Sequence, residues 1–146
     1  MADERDAPSA LALRCHLAHK AAARQIYPLL YNQKVSSRKP IAWMGDSRTK
    51  LQAAPVDIRS DAGYQLDLVQ RGKVPEDFKP MPDVGSGVME IRIHGDNAYR
   101  VFYVARYEEA VYVLHCFVKK TQATRKADLD LGRKRYAALM EGRKSK

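Results

Sequence analysis

Residues Val88 to Lys120, VMEIRIHGDNAYRVFYVARYEEAVYVLHCFVKK, alternate in polarity with the two-residue period of β-structure and are punctuated twice by turn-forming residues. Three consecutive strands joined by short hairpins satisfy that pattern. Because successive strand residues point to opposite faces, parity sorts the side chains. Met89, Ile91 and Ile93 fall with Tyr99, Val101 and Tyr103, and with Tyr112, Leu114, Cys116 and Val118. This apolar set is expected to meet helices. The complementary set is Glu90, Arg92, Arg100, Phe102, His115 and Phe117, with Lys119 just beyond, on a face expected to stay uncovered.

The two sets share faces only if the first turn has the right length, since a one-residue slip inverts a strand. A two-residue loop would set Arg92 opposite Tyr99. A three-residue loop over Gly95, Asp96 and Asn97 sets Arg92 opposite Arg100, and Gly and Asn tolerate the positive φ that such a loop requires. The three-residue loop is therefore expected.

Charge narrows the partner. The 146-residue chain carries a formal charge of +9, unevenly spread. Residues 39–118 are close to neutral, with ten basic and eleven acidic side chains, whereas residues 119–146 hold ten basic against three acidic. The excess begins at Lys119 and Lys120, where the polar strand face ends. A solubilising tail and a phosphate-attracting surface both account for it. Two cysteines, Cys15 and Cys116, do not make a disulfide framework, and no apolar run approaches the roughly 20 residues of a membrane span. A cytoplasmic protein without membrane contact is expected.

Helical periodicity appears at several points. Residues 8–31 look helical until Pro28, with a ragged apolar stripe. Cys15, His16 and His19 in that segment lack a second ligand pair, so no metal site is read there. Ile41 to Met44 is a short strand candidate. Ser47 can cap a short helix through Leu51 to Ala54, and Pro55 can open a second whose Ile58, Ala62, Leu66 and Val69 form a stripe closed by Gly72. Residues 73–87, rich in Pro and Gly, read as a loop. Thr124 can cap a last helix from about Arg125 to Met140, with Leu129, Gly132, Tyr136 and Leu139 as a narrow apolar stripe among basic residues.

Most catalytic readings fail on spacing. Adjacent residues of a strand face apart, so His115 and Cys116 cannot form a dyad, and Cys116 reads as core. Glu108 and Glu109 read as a solvated turn pair. Phosphate-loop and dinucleotide fingerprints are absent from the sequence. What survives is Glu90, Arg92, Arg100, His115, Lys119 and Lys120. RNA brings its own nucleophile, the 2′-hydroxyl, so cleavage needs a base, an acid and cations around the phosphate. Arg100 and Arg92 would clamp that phosphate, Glu90 or His115 would exchange protons, and Phe117 or Phe102 would stack a splayed base. Each residue also has a bland reading: a surface charge ladder for Glu90 and Arg92, a satisfied histidine for His115, a basic strand end for the lysines.

In its order of helix, helix, three strands and basic helix, and in the segments KPIAWMGDSRTKL, GYQLDLVQRG, VMEIR, AYRVFY and AVYVLHCFVKKTQ followed by RKRYAAL, the chain resembles the RelE/ParE toxin superfamily. The likeness is to its HigB-like, phage-derived branch and spans about residues 39–140. It implies an α+β, RelE-like domain over residues 39–146, with helices packed on one face of a mainly antiparallel curved sheet and a basic C-terminal helix. It further implies a ribosome-dependent, metal-independent mRNA endonuclease that needs no cofactor. The partners it implies are mRNA, the ribosome and a cognate antitoxin with a helix-turn-helix domain, forming a toxin–antitoxin hetero-oligomer.

Carried residue by residue, Arg100 matches the arginine on the scissile phosphate, and Arg92 falls near a strand position that is often basic. Lys120, sharing its role with Lys119, matches the basic residue after the last strand, and His115 lies in a Leu-His-x-Phe pattern. Lys79 and Arg125 complete the candidate RNA-binding set with Phe117, Lys119 and Lys120. A tyrosine that some members place beyond the basic residue has no counterpart, because Thr121 and Gln122 follow. The same fold supports two rivals, a ParE-like gyrase inhibitor without enzymatic activity and a degenerate prophage protein that only binds RNA.

Residues 1–38 lie outside the resemblance and are expected to be an N-terminal extension, helical or partly disordered. The alternative is translation from a later start, with Val35 as initiator. Mass spectrometry of the natively expressed protein distinguishes them: an intact Met1 or Ala2 end excludes the later start.

Overall fold

A three-residue strand at Ile41–Trp43 (β1) follows the Lys39-Pro40 dipeptide in the computed structural model, which describes residues 38–146. The helix expected over 8–31 and the Cys15, His16 and His19 group lie outside the described residues. After β1 come α1 (Ser47–Gln52), α2 (Val56–Gln70), β2 (Phe78–Pro80), β3 (Val88–Ile93), β4 (Ala98–Val104), β5 (Val111–Lys119) and α3 (Lys126–Lys144). The strands form one sheet in the order β1-β5-β4-β3-β2, antiparallel except for β1, which runs parallel to β5. This is the α+β architecture expected from sequence.

The helix α2 forms where its stripe said it would. Pro55 sits at the N-cap, Ile58, Ala62, Leu66 and Val69 are buried, and Gly72 at φ 79° ends the segment. Ser47 does not cap α1 as expected. It is the first helical residue, wholly buried, and its hydroxyl donates to the Val113 carbonyl at 3.1 Å, tying the helix to β5. Thr124 likewise does not cap α3, whose N-cap is Arg125 with no side-chain cap bond. The short strand β2 lies in the segment read as a loop. It pairs with β3 through Phe78 opposite Ile91 and Lys79 opposite Glu90, ending at Pro80, which an edge position tolerates.

The first hairpin has the expected register, with Arg92 opposite Arg100 and Ile93 opposite Tyr99. Gly95 is not among the positive-φ glycines. Its lack of a side chain serves proximity instead, since a Cβ there would lie 3.0 Å from Ile58 Cδ1 on α2.

The second hairpin departs from simple alternation. Phe102 is opposite His115 but Tyr103 is opposite Val113, so Leu114 is an extra residue, a β-bulge. Beyond it the parity of β5 reverses. Val111 and Val113 join Cys116 in the core beneath α1 and α2, while Tyr112 and Leu114 turn to the other face. The expectation that Tyr112 and Leu114 share a face with Cys116 and Val118 is therefore overturned, because parity cannot be carried through a bulge.

The opposite face is not left bare either. Leu129, Tyr136, Leu139 and Met140 of α3 pack with Phe102, Val104, Tyr112, Leu114 and Phe117 in a second core. Gly132 permits the contact, since a Cβ there would stand 3.0 Å from the Phe102 ring. The expectation of an uncovered face thus holds only beyond the reach of α3.

Arg135 of α3 ties these parts together. Its Nη1 donates to the Leu114 carbonyl at 2.9 Å, and its Nη2 pairs with Asp46 at 2.5 Å. Gly45, at φ +56°, lies under that guanidinium, where a Cβ would come 2.6 Å from Cζ. Gly45→Ala should therefore destabilise the fold by roughly 1–3 kcal/mol, from left-handed strain together with displacement of Arg135. Urea unfolding of the variant against wild type measures this; an unchanged midpoint would show that the turn relaxes freely.

Candidate functional site

The register sorts the candidate residues into two rows across the α3-side face. One row runs Lys79, Glu90, Phe102, His115, and the next runs Arg92, Arg100, Phe117; Lys119 follows opposite Ala98. Directly opposed residues share a face, so Glu90, Arg92, Arg100 and His115 all lie on one side of the sheet. Cys116 points away into the α1–α2 core, where burial pushes its thiol up to about 12, the value of an inert side chain.

The charged part of this face is a buried carboxylate between two guanidinium groups. Glu90, only 2% exposed, lies 3.4 Å from Arg92 Nε and 3.8 Å from Arg100 Nε. Arg92 also reaches Asp77, 3.9 Å away, which in turn meets His94 at 2.6 Å. Arg100 is 8% exposed, and its Nη1 donates to its neighbour's carbonyl, Tyr99 O. Among the described residues neither Glu90 Oε2 nor Arg100 Nε has a hydrogen-bond partner. Buried polar atoms without a hydrogen bond are costly, which marks this pair as a candidate site.

His115 is held from a second element. Its Nε2 and Asp128 Oδ1 of α3 are 2.8 Å apart, and Arg125 Nε completes the carboxylate's contacts at 3.1 Å. Its ring stacks on Phe117 at 4.9 Å. A carboxylate only accepts, so the neutral imidazole donates from Nε2 and keeps its lone pair on Nδ1, a buried atom without a partner among the described residues. Asp128 was not singled out in the sequence. The only signal for it is its place in the first turn of the basic helix, thirteen residues after the histidine.

The remaining candidates are distributed differently. Phe102 is wholly buried under Gly132, so it cannot stack a base. Phe117 is 6% exposed, with His115 stacked on its ring and Phe102 in a T-shaped contact at 5.1 Å, so little of it is open to stack a base. Lys79 is exposed on β2, and Lys120 is exposed after β5. Lys120, Arg125, Asp128, His115 and Phe117 line a cleft of ≈ 340 Å³ with Lys50 and the α1–α2 junction. Arg92 and Arg100 do not line it. Glu109 is tied to Tyr112 and Arg143, which leaves it a structural role at the turn.

Fold and site together define a small α+β domain with a cation-rich face and no membrane-crossing helix among the described residues. The family model described as "Phage derived protein Gp49-like (DUF891)" matches residues 49–137, more than half of the chain. The chain belongs to that Gp49-like family, a family of RelE/ParE-like toxins, which implies an antitoxin partner. No match is found among curated proteins.

Burial holds the His115 pKa below its ordinary 6.5, against the opposing pull of the Asp128 carboxylate. A lowered folded-state value means that stability is complete above about pH 6.5 and declines as pH falls below it, because the unfolded chain binds the proton first. NMR titration of His115 should give a midpoint under 6.5, with Asp128→Asn lowering it further. A wild-type midpoint above 6.5 would contradict this account.

Proposed function

We propose that this chain is a toxin of the HigB-like branch that cleaves translated mRNA at the ribosome. The 2′-hydroxyl attacks the adjacent phosphorus, the bond to the 5′-oxygen breaks, and a cyclic phosphate remains on the upstream fragment. One proton leaves the 2′-oxygen and one arrives at the departing 5′-oxygen. Arg100 and Arg92 hold the phosphate and offset its growing negative charge. Glu90 and His115 are the groups able to exchange protons, and Lys119 and Lys120 extend the cationic track. Lys79 and Arg125 add positive charge at its two ends.

The observation that carries this reading is the set of three buried polar atoms, Glu90 Oε2, Arg100 Nε and His115 Nδ1, that lie on one sheet face with no hydrogen-bond partner among the described residues. A protein that only binds a partner has no need to bury a guanidinium, a carboxylate and an imidazole with bonding capacity unused. The Gp49-like match supports the toxin class.

Induced expression of wild type and Arg100→Ala, followed by primer extension on cellular mRNA, tests the reading. Wild type should produce codon-linked cuts, and the variant should lose at least ~100-fold in cleavage, the scale of removing one charge-stabilising donor group. Growth arrest with intact mRNA and inhibited gyrase would replace the nuclease with the ParE-like activity. RNA binding with neither arrest nor cuts would leave only the degenerate prophage reading.

A further inference from the structure

The cleft beside the arginine pair has a chemistry of its own. β1 pairs with β5 only over Val111–Val113, so among the described residues no strand covers the outer edge of β5 beyond His115. The α1–α2 junction and the start of α3 flank that edge and enclose the cleft, whose ≈ 340 Å³ is within the ~300–1,000 Å³ range of small-ligand sites.

Three cations reach the cleft from three separate elements: Lys50 in the last turn of α1, Lys120 after β5, and Arg125 at the N-cap of α3. Its one carboxylate among the lining residues, Asp128, is already bonded to His115 and Arg125. The imidazole that lines it is 98% buried, given its 2% exposure, and its Nδ1 has no partner among the described residues. The field inside is therefore positive, which suits a phosphate at the three cations, while the acceptor lone pair of His115 Nδ1 suits a hydroxyl or N–H donor of the same nucleotide. Phe117 lines the cleft and is directly opposite Arg100 in the sheet, so the cleft and the arginine pair adjoin across a single strand.

Resting on the nuclease reading above, we infer that this cleft is a second phosphate subsite for single-stranded RNA, with Lys50 as a backbone contact. A strand whose scissile phosphate lies against the Arg92 and Arg100 pair extends its neighbouring phosphate toward the cleft. Paired cationic subsites of this kind track a backbone without reading sequence. Lys50 comes from a helix that contributes nothing to the arginine pair, so the two subsites are separable by mutation.

The test is an NMR titration of the full chain at low salt with a short single-stranded RNA whose 2′-oxygens are methylated, which removes the nucleophile. Amide shifts at Ala53, Phe117, Val118 and Lys120 should saturate together. Lys50→Ala should weaken the affinity several-fold and reduce the slope of log affinity against log salt by about 0.7, the share of one phosphate contact on a single strand. Lys50→Glu should weaken it further, while Lys73→Ala, remote from the cleft lining, leaves it unchanged. A silent cleft, or an equal loss in Lys73→Ala, overturns the subsite. If shifts then persist at Arg92 and Arg100, the nuclease reading stands. If the whole chain is silent and mRNA stays intact on induction, both fall.

Discussion

The extra residue in β5 is the constraint on which the rest of the molecule depends. With Leu114 inserted between Val113 and His115, Val111 and Val113 pack beneath the helices together with Cys116, although simple alternation would place them on opposite faces. The same shift carries Tyr112 and Leu114 into the second core. Without it, one half of β5 would present the wrong side chains to each layer. The bulge leaves a carbonyl needing a donor, and Arg135 supplies one while pairing with Asp46 at the β1–α1 turn. A single guanidinium thus joins the sheet, the first helix and the last.

Docking of α3 has two consequences for the site. It covers the aromatic middle of the sheet face, leaving Arg92 and Lys119 only partly buried and Lys120 exposed at the end of the strands. It also delivers Asp128 to His115 and Arg125 to the cleft rim. Burying an imidazole beside a carboxylate favours one neutral tautomer and discourages the cation, because desolvation outweighs the nearby negative charge. Glu90 is buried between two arginines, and among the described residues one of its oxygens has no hydrogen-bond partner. Both groups are anchored on strands of the packed sheet rather than on loops, which fixes their positions relative to each other.

Local pattern made much of this legible. The register of β3 with β4 followed from the length of one turn, and the buried stripe of α2 followed from its 3.6-residue period. Residues Glu90, Arg92, Arg100 and His115 could be placed on one face because the bulge lies on the far side of His115 and does not disturb their relative parity. The failures have a common origin. Tyr112 and Leu114 were placed by extrapolating through the bulge, and Ser47 and Thr124 were read as caps because local propensity cannot see the Val113 carbonyl or the approach of α3. The base-stacking role of Phe102 failed because the narrow stripe of α3, legible in itself, did not say which surface it would cover.

The sequence by itself determined the order and type of the main elements, the pairing of the first hairpin and the concentration of positive charge after Val118. These depend on residues close together along the chain, where turn length and periodicity leave few alternatives. Only the tertiary structure decided the bulge, the parallel docking of β1, the covering of the sheet by α3, the contact of Asp128 with His115 and the cleft that Lys50 shares with Lys120. Each of those joins segments whose mutual placement no local pattern encodes, because it is set by packing of side chains from separate elements into shared cores.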